Sequence, residues 1–265
     1  MNLKLEDPVA LVPTMGALHA GHQSLIEIAK EFTQNIVVSI FINPLQFENT
    51  NDFASYPKTV AADSKFAEES GASFVWAPTF EEIYPNEPAI ISAGEIGNLF
   101  EGVHRFGHFD GVLTVVKRLF DLTSPEFAIF GEKDFQQLFL IKKMVEKLNV
   151  PVKIISAPTI RDSQGLALSS RNIRLSNSDR ESALGIYQAL ESANSGTSVE
   201  SARAKLLKEI SSIPNFLMDY AELINEDTFE IATDQTQNIR AIVAGWINGI
   251  RLIDNMYMSN LGVSK

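Results

Sequence analysis

The chain contains no cysteine among its 265 residues. That excludes disulfides, thiolate nucleophiles and sulfur-ligated metals, and it suits a reducing compartment. Basic charge is scarce as well: 22 Lys+Arg stand against 33 Asp+Glu, a formal net charge of −11. With no basic stripe to offset it, this balance argues against a nucleic-acid partner. No apolar run approaches the roughly 20 residues that span a bilayer, so no membrane role is expected. The opening MNLKLEDPVALV lacks the apolar region and small-residue cleavage site of a secretory leader. The expectation from these absences is a cytoplasmic protein.

What is present is ordinary in bulk and unusual in places. A hydrophobic content of 45% with 21% charged residues is that of a globular chain, and the length permits one or two domains. Short apolar segments alternate with helical spacing. Strands are expected at Val9–Val12, Ile36–Ile42, Phe74–Ala77, Phe127–Phe130 and Val152–Ile155. Between them, helical stripes run through Leu25–Phe32, Thr59–Ser70, Val112–Phe120 and Leu138–Leu148. That rhythm predicts a doubly wound, Rossmann-like parallel-sheet α/β domain over residues 1–158. The remainder, 159–265, reads as a smaller α+β domain. Its helices are expected at Ser178–Ala193 and Val199–Ile213, and its strands at Tyr220–Ile224, Ala241–Val243 and Arg251–Asp254.

Two of only four histidines lie three residues apart in VPTMGALHAGH, Val12–His22, directly after the first expected strand. Three readings compete for that pair. A zinc half-site would need further converging ligands. A phosphate loop is approached by Gly16 and Gly21, which have Walker spacing, but His22-Gln23 stands where Lys-Ser/Thr belongs. A nucleotide site would use imidazole as donor, with free N–H groups and a positive dipole at the helix opening near Gly21. Beside these stands the plain alternative that both histidines merely cap a helix.

Four further segments bear on the choice. They are Ile42–Phe47 (INPLQF), Glu101–Val112 with Arg105 and His108, Phe130–Gln137 (FGEKDFQQ), and Arg161–Asn172 (RDSQGLALSSRN). Polar residues gathered at strand ends and loops favour one shared site over scattered structural roles.

Together these segments resemble the pantothenate synthetase family. His19–His22 looks like the HxGH signature of the wider nucleotidyltransferase superfamily, and Leu168–Arg171 like its mobile serine-arginine loop. VPTMGALHxGH, NPxQF, GHFxGVxTVV, FGEKDxQQ, GLALSSRN and the closing RLIDN, in that order, extend the likeness over nearly the whole chain. The resemblance implies ATP-dependent joining of pantoate and β-alanine through a pantoyl adenylate. It implies ATP with Mg²⁺ as nucleotide and metal, a nucleotide-binding first domain, a lid-like second domain and a homodimer.

Residue by residue, it implies that His22 serves the leaving phosphate with His19 beside it. Lys133 and Arg171 supply phosphate cations, and the Met15-Gly16-Ala17-Leu18-His19-Ala20-Gly21-His22 backbone lines ATP. Gly131, Glu132, Asp134, Ile160, Leu168, Ser169 and Ser170 also touch ATP, and Gln46 and Gln137 hold pantoate. Asp63 is weighed as an indirect magnesium holder through bound water, but an ordinary helix-surface aspartate is the preferred reading. Phe106 stands where the family has proline, and Ala61-Ala62-Asp63 where it is more acidic. The first strand begins sooner than in the family, so an early helix is expected to be missing or replaced. The alternatives are a related nucleotidyltransferase with another acceptor and a non-catalytic nucleotide-binding protein. ATP–pyrophosphate exchange with and without pantoate separates all three.

Overall fold

Ala10, Leu11 and Val12, like Ile36, Val37 and Val38, are all buried, as strands covered on both faces of a parallel sheet require. They belong to a computed structural model that describes residues 8–47, 53–54 and 56–261. The expectations about a leader and an early helix fall on Met1–Asp7, outside the described residues. The chain divides into two compact units, Met1–Thr159 and Ile160–Lys265.

The first unit runs β1 (Val9–Thr14), α1 (Ala20–Ala29), β2 (Asn35–Ile40), α2 (Val60–Ser70), β3 (Phe74–Trp76), α3 (Phe80–Ile83), α4 (Glu101–His104), α5 (His108–Thr123), β4 (Phe127–Gly131), α6 (Phe135–Lys147) and β5 (Lys153–Ala157). Its strands form a five-stranded parallel sheet in the order β3-β2-β1-β4-β5. This is the doubly wound α/β class expected. Alternate residues Ala10, Val12, Ile36, Val38 and Ile129 join Leu25, Ile26 and Ala29 of α1 and Ala67 of α2 in one core. The period-2 alternation of a strand supplies such a face.

The expected strand Ile36–Ile42 ends earlier, at Ile40. Proline at 44 lacks an N–H and restricts the residue before it, so the chain leaves the sheet. Asn43 caps a short 3-10 turn, Pro44–Gln46, by accepting the Leu45 N–H. Helix α5 packs against that turn. Gly111 makes this possible, because a methyl there would stand 2.3 Å from the Leu45 carbonyl oxygen.

The second unit contains α7 (Asn177–Asn194), α8 (Val199–Ser212) and an antiparallel sheet of β6 (Phe216–Asn225), β7 (Ile239–Ile247) and β8 (Ile250–Tyr257). Ser176 and Asp179 form a capping box at the start of α7, and Ser198 caps α8. Ala183, Ile186, Leu190 and Ala193 recur at helical spacing and pack with Leu206, Leu223, Val243 and Leu252. Strand β6 is longer than the expected Tyr220–Ile224, because a register shift between Met218 and Tyr220 breaks its alternation.

Candidate active site

The strand order reverses between β1 and β4. At such a switch point the loops after the two strands diverge and open a crevice for ligand. The motifs VPTMGALHAGH and FGEKD are those two loops.

After β1, Gly16 and Ala17 both adopt positive φ, +87° and +51°. Two left-handed residues in succession turn the next N–H groups toward one point. Ala17 N–H donates to Asp63 Oδ2 at 2.9 Å and Leu18 N–H to Oδ1 at 2.8 Å. The Thr59 hydroxyl adds a third donor to Oδ2, at 2.9 Å. Asp63 is 4% exposed, so the helix-surface reading is wrong. Three of a carboxylate's roughly four acceptor sites are occupied by donors of the chain, which leaves little to offer a metal or its water.

Helix α1 then opens on a capping box built from histidine alone. His19 Nδ1 accepts the Gly21 N–H at 3.1 Å, and His22 Nδ1 accepts the His19 N–H at 3.2 Å. An imidazole accepting at Nδ1 carries its proton on Nε2, so each neutral ring presents one N–H donor. Burial, reinforced by the neighbouring His19, pushes His22 down to about 3. Burial and then Lys133 lower His19. The rings lie 4.2 Å apart and both stay uncharged at neutral pH. Capping and donation are one geometry here, not rival readings.

The helix start was expected to present free N–H groups, and most of them are already engaged. The N–H groups of Ala17, Leu18, His19, Gly21, His22 and Gln23 are all bonded within the chain. A buried N–H is rarely left without a partner, and this turn supplies its own. What is offered to an anion is the pair of Nε2–H groups, the Ala20 N–H at the first helical position and the positive end of the helix dipole.

After β4, Glu132–Asp134 form a 3-10 turn leading into α6. Lys133 lies near enough to both imidazoles to depress them and 3.9 Å from Asp134 Oδ2. Gln137 follows, half-buried, in the first turn of α6. Its neighbour Gln136 is structural: Nε2 donates to the Ile96 and Leu99 carbonyls, and Oε1 accepts the Glu101 N–H.

Gln46 is buried and its amide donates to Met15 Sδ, which places it at the same loop. Its backbone carbonyl receives His108 Nδ1–H at 2.8 Å. Burial, with Arg105 nearby, pushes His108 down to about 3. His108 thus anchors the glutamine turn as a neutral donor, a role left open by sequence. Phe106 is 77% exposed, and the turn closes through His108 N–H to the Arg105 carbonyl. The first unit therefore gathers Met15–His22, Gln46, Asp63 and Lys133 around one crevice.

In the second unit, Leu168 N–H donates to the Ile160 carbonyl, and Arg161 bridges Ala167 across a tight turn. Asp162 Oδ1 holds the Gln164 and Leu166 N–H groups. Ser169 accepts the Arg171 N–H and opens the turn Ser170–Arg174. The segment is pinned through Leu168, and Asn172 Nδ2 donates back to the Ala167 carbonyl at 2.9 Å, so Ser169–Arg171 lie between two tied points.

His22 and His108 carry a pH signature. Both are neutral when folded down to about pH 3 and titrate near 6.5 when unfolded. Between those values the unfolded chain takes up protons that the folded chain refuses. Stability is therefore fully present above pH 6.5 and falls as pH drops through the window. Each group costs on the order of 1 kcal/mol per pH unit. Urea midpoints between pH 6.5 and 5, where carboxylates stay ionised, are expected to fall. His108→Gln is expected to flatten the fall, and an unchanged slope would contradict the assignment.

A family model described as pantoate-beta-alanine ligase matches residues 2–257. The pantothenate synthetase of Acidothermus cellulolyticus is 45% identical over 262 residues, covering 96% of this chain and 86% of that one. The pantoate–beta-alanine ligase of Schizosaccharomyces pombe is 41% identical over 256 residues, covering 94% and 90%. Among solved structures, pantothenate synthetase from Thermus thermophilus superposes with a TM-score of 0.90 at 40% identity, covering 95% of this chain and 94% of that one. Francisella tularensis pantoate-beta-alanine ligase, complexed with beta-gamma ATP and beta-alanine, gives 0.80 at 36% identity, covering 97% and 93%.

Proposed function

The chain belongs to the pantoate-beta-alanine ligase family, and from that premise we propose how its own residues carry out the ligation. A pantoate carboxylate oxygen attacks the α-phosphorus of ATP, and the bond to pyrophosphate breaks. The β-alanine amine, neutral when it attacks, then bonds to the acyl carbon. The acyl C–O bond breaks, AMP leaves with that oxygen, and the surplus amine proton is released.

A carboxylate with a pKa near ~4 is already ionised at neutral pH, so the first step needs no general base. It needs alignment and donors for charge growing on pyrophosphate. His22 Nε2–H, with His19 beside it, meets the leaving phosphates, and Lys133 adds a point charge. Arg171 is assigned as a fork-shaped phosphate cation, and Ser169 and Ser170 as hydroxyl donors. The Met15–His22 turn and Gly131–Asp134 frame ATP, and Ile160 and Leu168 are assigned to ATP as well. Mg²⁺ travels on ATP's own oxygens, as phosphate-bound magnesium does. Asp63, held by two backbone N–H groups and the Thr59 hydroxyl, is not assigned to the metal. The observation that carries this reading is the pair of Nδ1-capped imidazoles beside Lys133 at the switch point.

Gln46 and Gln137 hold pantoate, whose hydroxyls and carboxylate suit an amide that donates and accepts. Gln46→Ala and Gln137→Ala are expected to raise the pantoate KM roughly 5- to 150-fold, the effect of about 1–3 kcal/mol for an unmet bond, with the ATP KM little changed. A larger change for ATP would remove both from pantoate.

Ser169–Arg171, beyond the pinned Leu168, order further when ATP binds and keep water from the acyl adenylate. Hydrogen exchange at residues 169–174 is expected to slow with ATP and pantoate together, and equal protection without ligand would refute the lid. A homodimer, a cytoplasmic location and the absence of a nucleic-acid partner complete the proposal. ATP–pyrophosphate exchange tests the reading as a whole. Exchange that requires pantoate supports it, and exchange indifferent to pantoate favours another acceptor.

A further inference from the structure

Asp63 and Thr59 lie on an element that none of the motif chemistry uses, yet they meet the motif at its sharpest bend. The bend is Gly16–Ala17, where a non-glycine residue sits at φ +51°. Such a conformation costs of order 1 kcal/mol or more and persists only where surroundings over-determine it. Here a single buried carboxylate does so, taking the N–H groups of Ala17 and Leu18 on separate oxygens. Gly16 fits beneath it with no atom to spare, since an added Cβ would lie 3.0 Å from Asp63 Oδ2. His19 follows immediately, with its own N–H on His22 and its ring on Gly21. The chain between carboxylate and imidazoles therefore contains no unbonded slack.

We propose that Asp63, oriented by the Thr59 hydroxyl, is a positioning residue for the two-histidine turn: it fixes the direction of the His19 and His22 Nε2–H donors and holds no metal. The proposal rests on the reading of that turn as the phosphate site. A charged acceptor makes the stronger bonds to the turn, and a misplacement of about 1 Å at such donors costs on the order of 10²-fold in rate. Asp63→Asn keeps the shape but offers one N–H group a donor instead of an acceptor. Thr59→Val keeps the shape but removes the hydroxyl.

The test reads three quantities on the full chain: imidazole ¹⁵N–¹H correlations, pyrophosphate exchange, and the Mg²⁺ concentration giving half-maximal exchange. In Asp63→Asn, both imidazole signals are expected to move, kcat to fall roughly 10- to 100-fold, and the Mg²⁺ midpoint to stay put. If Asp63→Asn does not fold, Thr59→Val serves with a smaller shift in the same direction, and Thr59→Ser is expected to recover turnover relative to it. Unmoved imidazole signals beside a lost kcat would overturn the proposal, and so would a raised Mg²⁺ midpoint. Moved signals with full exchange would instead keep Asp63 as the anchor of the turn and sink the phosphate-site reading.

Discussion

Replacing His22 by alanine is expected to cut pantoate-dependent pyrophosphate exchange by roughly 10²–10³, the usual effect of deleting one preorganised donor. The ring has two duties, accepting the His19 N–H at Nδ1 and offering Nε2–H. Alanine removes both, and the lost cap costs about 1 kcal/mol of helix stability. His22→Gln separates the duties, since a glutamine at the third helical position can still reach back to the cap. Its melting temperature is expected to stay near the parent value while its turnover still falls. A folded His22→Ala variant with parental exchange would remove the imidazole from the chemistry.

Arg161→Ala is expected to destabilise the second unit by about 3–5 kcal/mol, the effect of leaving a buried partner charge unmatched. Both terminal guanidinium nitrogens grip Asp254, at 2.6 and 2.9 Å, and Asp254 is 6% exposed. The same group donates to the Gly165 and Asn255 carbonyls and lies 4.7 Å over the Tyr187 ring. Without it the carboxylate retains the Asn255 N–H but, among the described residues, no ion-pair partner. Because Arg161 closes the turn that leads to Ser169–Arg171, turnover is expected to fall with stability. Denaturant unfolding measures the loss. A change under about 1 kcal/mol would show that water or a shifted neighbour replaces the arginine.

The parts of this molecule that were legible in the sequence are those written in local pattern. Strand β2 could be read because its run from Ile36 to Ile40 is apolar or small throughout. Helix α7 could be read because Ala183, Ile186, Leu190 and Ala193 keep helical spacing. The histidine pair could be singled out because its glycines and its place after a strand are also local.

Asp63 could not be read. The buried stripe of α2 is Asp63, Ala67 and Ser70, so Ala67 alone gives the core face an apolar signal and nothing marks Asp63 as part of it. Gln136 and Gln137 are neighbours in one motif, yet successive helical positions point about 100° apart, and Gln136 bonds the 96–101 loop. Arg161 and Asp254 are 93 positions apart, beyond any local rule for pairing charges. Asn43 carried a readable sign, an asparagine before Pro44 that forms a cap. His108 gave its motif but not its role, which depends on a carbonyl 62 positions away.

The central claim is that ligation runs through an acyl adenylate formed by the pantoate carboxylate. Pantoate labelled with ¹⁸O in both carboxylate oxygens tests it most directly. Attack on the α-phosphorus followed by amine attack on the acyl carbon carries one label into AMP and leaves one in the amide carbonyl. Mass spectrometry of the products is predicted to show AMP with a single ¹⁸O per turnover. Unlabelled AMP, or label found in inorganic phosphate, would contradict the account.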